Sequence, residues 1–97
     1  METNEFYKLF NIIIKRAKTG KTTSYTKKLL NSDAKKIAQK VGEESTELIV
    51  DYLKGSKKRT IEEAVDLIYH LFVMLYSKNI TFNDIEKEII KRRNVRR

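Results

Sequence analysis

The chain has no cysteine, no proline, one histidine and only three glycines. Without cysteine there is no disulfide, no thiolate nucleophile and no sulfur-bound zinc. The lone His70 excludes sites built from several imidazoles. Gly20, Gly42 and Gly55 lie too far apart for G-x-G-x-x-G or a Walker A loop. The string GKTT at 20–23 resembles the end of a phosphate loop, but the leading glycine would have to stand at Lys15. Long apolar runs are missing as well. The longest, Leu67 to Tyr76, is interrupted by His70 and is too short to span a bilayer. The acidic, amphipathic start METNEFYKLF lacks the basic and apolar regions of a secretory signal. The expectation is a cytoplasmic protein with no membrane partner.

The 97 residues make one small domain, 1–97. Net charge is +8, and five of those charges sit in a basic tail, KRRNVRR at 91–97, which leaves three on the rest. A chain this short buries a modest core alone, so association with further copies is expected.

Apolar spacing is helical nearly throughout. Phe6, Leu9, Phe10, Ile13, Ile14 and Ala17 share one face of a helix over about residues 4–18, with Gly20 as its stop. Polar residues 20–32 leave room for a short turn near Lys27–Leu30. A second long helix runs from about Asp33 to Lys54, capped by Ser32 or Asp33 and ended by Gly55. A third is expected over about Ile61–Ser77, with Thr60 and Glu63 at capping-box spacing. A fourth starts near Thr81, paired with Asp84, and is expected to bury Phe82, Ile85 and Ile89. The fold class is therefore all-α, a four-helix bundle with short connections.

Two of these helices carry carboxylates where they are hard to explain. On the second, Ala34, Ile37, Ala38, Val41, Ser45, Leu48, Ile49 and Tyr52 form a core stripe. Beside it, Lys40, Glu44, Glu47 and Asp51 form another, with Glu43 next to it. Like charges stacked at i,i+3 and i,i+4 are mildly destabilising, so a cation should offset them. The third helix is apolar on nearly all sides, yet Glu63, Asp66 and His70 share one edge. A buried carboxylate must be paired or bound to a metal. In an antiparallel hairpin, EExxE (Glu43, Glu44, Glu47) faces ExxD (Glu63, Asp66). Such a set of hard oxygen donors suits Mg²⁺ or Mn²⁺. Taken singly, EExxE and ExxD are ordinary solvated surface, and His70 is an ordinary core histidine. The pair on consecutive helices is not ordinary. Gly42, inside the second helix, suggests close approach of another backbone.

SYTKKLL (24–30), KKIAQKVGEESTELIV (35–50) and EEAVDLIYHLFVML (62–75) closely resemble the phosphoribosyl-ATP pyrophosphohydrolase family. That family acts in the second step of histidine biosynthesis and belongs to the all-α, MazG-like nucleoside-triphosphate pyrophosphohydrolases. The resemblance covers about residues 6–93. Ser45 and Val65 stand where the family often has alanine, both conservative departures. The resemblance implies Mg²⁺-dependent hydrolysis of 1-(5-phosphoribosyl)-ATP, with water attacking the α-phosphorus and pyrophosphate leaving. It implies Glu44, Glu47, Glu63 and Asp66 as metal ligands. Glu43 becomes a further metal contact or, like Glu44, a catalytic carboxylate that takes the water's proton. Lys40, Arg16 and Lys36 become phosphate contacts. Ser24, Tyr25, Thr26 and His70 become contacts to the rest of the nucleotide. It further implies a homodimer or a pair of dimers, with Tyr69, Phe72 and Tyr76 meeting the second copy, and a cyclohydrolase of the next step as a separate protein.

Other classes stay open on sequence alone. A house-cleaning nucleotide pyrophosphohydrolase shares EExxE and ExxD but not the SYT and YH segments. A nucleic-acid-binding bundle fits the tail but not the acidic stripe, which repels phosphates. A di-iron bundle wants E-x-x-H, and Glu63 is followed by Asp66 instead. A plain interaction bundle would need no metal.

Overall fold

The computed structural model describes residues 4–21 and 24–93. These form five helices: α1 (Glu5–Thr19), α2 (Tyr25–Leu30), α3 (Ala34–Lys54), α4 (Lys57–Ser77) and α5 (Phe82–Arg93). The all-α expectation holds, in an arrangement consistent with a MazG-like bundle. Among the described residues no helix is long and apolar enough to cross a membrane. Part of the basic tail, residues 94–97, lies outside them.

Side-chain caps set the starts of the helices. Asn4 Oδ1 accepts from Tyr7 N, Ser24 Oγ from Lys27 N, and Asp33 Oδ1 from Lys36 N. The Thr81–Asp84 box is reciprocal: Thr81 N donates to Asp84 Oδ2 at 2.9 Å, and Asp84 N donates to Thr81 Oγ1 at 3.0 Å. The Thr60–Glu63 box does not form. Ser56 caps α4 instead, accepting from Arg59 N, so the helix begins at Lys57, several residues ahead of the expected Ile61. Thr60 lies inside the first turns, and its hydroxyl bonds the carbonyls of Ser56 and Asp51. Only Gly55 and Ser56 then separate α3 from α4. At its other end α4 closes in a Schellman motif: Asn79 adopts φ 63°, its N–H reaches Tyr76 O, and Ile80 N–H reaches Leu75 O.

The core is Phe10 and Ile13 of α1, Leu29 of α2, Ile37 of α3, and Phe72 and Val73 of α4. Phe10, Phe72 and Phe82 meet ring to ring, with centroids 5.2–6.2 Å apart. Phe82 and Ile85 are half-buried, whereas Ile89 is exposed, because α5 has no second layer over it. Phe72, expected to meet a second copy, is 8% exposed within its own chain.

Helices α1 and α2 cover only one end of the α3–α4 hairpin. Of the expected α3 core stripe, Ile37 is buried, Val41, Ser45 and Leu48 are half-buried, and Ala34, Ala38, Ile49 and Tyr52 are exposed. Ile49, Val50, Tyr52, Leu53, Ile61 and Val65 leave the turn end apolar and bare, Tyr52 being 76% exposed. Burial of α4 on most sides therefore holds only for its second half.

Two glycines differ in kind. A Cβ at Gly42 would meet nothing within 4 Å, so the expected close backbone approach is not there. A Cβ at Gly55 would lie 2.6 Å from Asp51 Oδ1 and 3.0 Å from its main chain. Gly42→Ala should therefore raise stability by about 1 kcal/mol, the helix-propensity difference, or roughly 4–8 °C in thermal midpoint for a domain of this size. Gly55→Ala should lower it. A midpoint unchanged or lowered by Gly42→Ala in a thermal melt would show that something covers that face.

Candidate functional site

The antiparallel hairpin brings Glu44 of α3 opposite Glu63 and Asp66 of α4. One oxygen from each lies within 4.8 Å of the others, a group able to hold a metal ion. Glu44 is 8% and Glu63 4% exposed, while Asp66 opens to solvent. Glu63 Oε2 accepts from Arg59 Nη2 at 2.7 Å. Its Oε1 is buried with no hydrogen-bond partner. Buried polar atoms are nearly always satisfied, so an orphaned oxygen on a carboxylate grouped with two others is consistent with a cation site. The donor set, oxygen only, fits a hard divalent ion.

The electrostatics are those of crowded acids. Burial pushes the Glu44 carboxyl above the usual glutamate range, and the charges of Glu47 and Glu63 push the same way, against His70 and Lys40. Lys40 Nζ lies 3.3 Å from Glu43 and 3.9 Å from Glu44. Glu43 is exposed and held below the usual range by the Gln39 amide, which donates to it at 2.8 Å, and by Lys40. Glu47 is exposed and outside the group of three, lining an open surface hollow with Gln39, Gly42, Glu43 and Thr46. The cation that sequence reasoning expected opposite the acids includes one it did not name. Arg59 reaches Glu62 at 2.8 Å, Glu63 at 2.7 Å and Asp51 at 3.6 Å. Its position four before Glu63 was the available signal.

Asp66 also borders a cavity of about 510 Å³ with Arg16, Ser24, Tyr25, Thr26, Tyr69 and His70. His70 Nδ1 lies 2.7 Å from the carbonyl of Asp66. A carbonyl only accepts, so Nδ1 carries the hydrogen. In the neutral ring Nε2 is then the acceptor, and the Tyr25 hydroxyl donates to it at 2.7 Å. Tyr25 and Tyr69 stack at 6.1 Å, and His70 stands edge-on to both. Thr26, 1% exposed, bonds the Tyr69 hydroxyl. Burial raises the Tyr25 phenol above its ordinary value.

The expected nucleotide contacts thus divide. Arg16, Tyr25 and His70 line one cavity, and half of Tyr25 is open to it or to solvent. Ser24 and Thr26 line it too, but their hydroxyls are engaged within the chain. Lys40 faces the acids, and Lys36 is an exposed residue of the first turn of α3. Tyr69, expected at a contact between copies, is part of the cavity wall. It lies three on from Asp66 and so shares its helix edge.

The family model for phosphoribosyl-ATP pyrophosphohydrolase matches residues 5–93. The chain is 47% identical over 92 residues to the phosphoribosyl-ATP pyrophosphatase of Sulfolobus acidocaldarius, covering 95% of this chain and 97% of that one. It is 42% identical over 92 residues to that of Sulfurisphaera tokodaii, covering 95% and 98%. To that of Clostridium novyi it is 42% identical over 85 residues, covering 88% and 77%.

Glu44 sets the sign of a pH effect. Its folded carboxyl binds a proton more readily than in the unfolded chain, so its ionisation opposes folding. This penalty is absent below the unfolded glutamate value, grows as pH rises through the raised folded value, and is complete above it. In metal-free protein, Glu44→Gln should melt above wild type at pH 7–8, and the gap should close on acidification to about pH 4. A gap that stays constant with pH would disprove the raised value.

Proposed function

This chain belongs to the phosphoribosyl-ATP pyrophosphohydrolase family, and we propose how its residues divide the work of that family's reaction. The reaction is hydrolysis of 1-(5-phosphoribosyl)-ATP to 1-(5-phosphoribosyl)-AMP and pyrophosphate, a step of histidine biosynthesis. One observation carries the assignment: Asp66 belongs at once to the acidic group and to the aromatic cavity. A triphosphate held at the carboxylates then has its nucleoside end beside Tyr25, Tyr69 and His70.

Glu44, Glu63 and Asp66 would hold Mg²⁺, or Mn²⁺ in its place, with Glu47 as a further ligand from the open side. A bound ion there supplies neutralisation of phosphate charge and a more acidic water. Phosphoryl transfer of this kind rests on positioning and charge. Glu43 and Glu44 are the two candidates to take the water's proton; the raised carboxyl of Glu44 belongs to the metal-free chain, and a bound cation would lower it. Lys40 restrains Glu43 and Glu44 and offers a contact to phosphate, as do Arg16 at the cavity and Lys36 further out. The fixed Tyr25–His70–Asp66 chain holds the tyrosine face in place for the base. The same reading puts the chain in the cytoplasm with its nucleotide.

A second copy of the chain is the natural cover for the bare turn end of the hairpin. Ile49, Val50, Leu53, Ile61 and Val65 are all more than half exposed on the two helices that meet there. Light scattering should give a dimer or a pair of dimers, and Leu53→Glu should lower the mass. A monomer at micromolar concentration would remove this part of the reading.

The direct test is purified protein with phosphoribosyl-ATP and Mg²⁺, watched for pyrophosphate in ¹⁸O-water. Label should enter the nucleotide monophosphate and not the pyrophosphate. Alanine at Glu44, Glu63 or Asp66 should abolish turnover with the helical fold retained. ATP should be a poor substrate, and Tyr25→Ala should narrow the gap between the two, because a site that bonds the second ribose phosphate is left unpaired by ATP. Equal rates on both would favour the house-cleaning class, and label in pyrophosphate would move the attack to the β-phosphorus.

A further inference from the structure

Arg59 is badly placed as a helix-stabilising residue. Lys57, Lys58 and Arg59 open α4, whose first turn has no acidic residue. Cations there oppose the helix dipole. An Arg four before a Glu is also the weaker orientation of an i,i+4 pair. What the position does achieve is geometric. The guanidinium fork splits between two carboxylates of one helix, Nη1 to Glu62 and Nη2 to Glu63, and Nη2 also faces Asp51 of α3. Thr60 Oγ1 ties the same turn to the Asp51 carbonyl at 3.1 Å. Gly55 leaves the space that Asp51 occupies. The fork is thereby anchored across the hairpin, half open to solvent on one side and against the buried Glu63 on the other.

We propose that Arg59 is a positioning residue for the acidic group: it takes Oε2 of Glu63 and leaves Oε1 as the single oxygen that Glu63 presents to a divalent cation. The inference rests on the metal reading given above. The buried, unpartnered Oε1 of Glu63, a residue that groups with Glu44 and Asp66, carries it. A neighbour that orients a ligand in this way typically sets metal affinity by about 10–100-fold. The role requires the planar two-armed donor, because an ammonium cannot hold Glu62 and Glu63 in fixed directions at once.

The test is titration of the full chain with Mn²⁺ alone, following free Mn²⁺ by paramagnetic resonance, with no nucleotide present. Arg59→Lys and Arg59→Gln should each weaken Mn²⁺ binding by about tenfold or more, with the helical circular-dichroism signal kept. Glu62→Gln, which loses the charge but keeps an acceptor for Nη1, should change it less than about threefold. If Arg59 acted by charge alone, Arg59→Lys would match wild type and Arg59→Gln would bind Mn²⁺ as tightly or more tightly. Either result overturns the proposal, as does a lowered melting point in both variants with wild-type affinity. A wild-type chain that binds no Mn²⁺ would instead overturn the metal reading on which it rests.

Discussion

Carboxylates packed against one another inside a helical hairpin repel, and the rest of this molecule is arranged around that repulsion. Glu44 and Glu63 are nearly dry, and Asp66 completes their group from the solvent side. Two cations on the chain meet the charge from outside, Lys40 along α3 and Arg59 from the start of α4. The structure therefore carries a locally unfavourable charge pattern that a divalent cation could relieve.

The second half of the site is a hydrogen-bonded aromatic cluster where the first is a group of acids. The imidazole of His70 is fixed at both nitrogens, one to the main chain of a proposed ligand residue and the other to Tyr25. Tyr69 is fixed through Thr26. Four aromatic and hydroxyl groups from α2 and α4 so hold each other in one orientation, and α2 needs no length of its own to stay in place. Six residues suffice because its cap and its side chains are both tied down.

Much of this was legible from spacing. The helical periods of α1, α3 and α4, the Asp33 cap and the Thr81–Asp84 box all follow from local rules. So does the meeting of Glu44, alone of EExxE, with both acids of ExxD, given a hairpin. Three features were not legible, each for a physical reason. The start of α4 turned on a competition between Ser56 and Thr60, which local pattern ranks equally, and Thr60 found other acceptors in Asp51 and Ser56. The α3 stripe read as core because periodicity reports an apolar face and not what covers it, and α1 and α2 reach only one end. Ser24 and Thr26 offer the chemistry for a nucleotide, but that Thr26 also bonds the Tyr69 hydroxyl depends on how α2 meets α4, which spacing does not report.

The two-residue turn at Gly55–Ser56 has a consequence for how such a chain can vary. Glu44 and the Glu63–Asp66 pair face each other only because the path between them has a fixed length. Adding one residue within it rotates everything beyond by about 100° on a helix, turning an acid out of the group and an apolar side chain in. Substitutions in this stretch are graded in their effect, but insertions and deletions are all-or-none. Length tolerance is thus excluded from the middle of the chain, and change in length is left to the connections around residue 20 and around residue 80 and to the two ends.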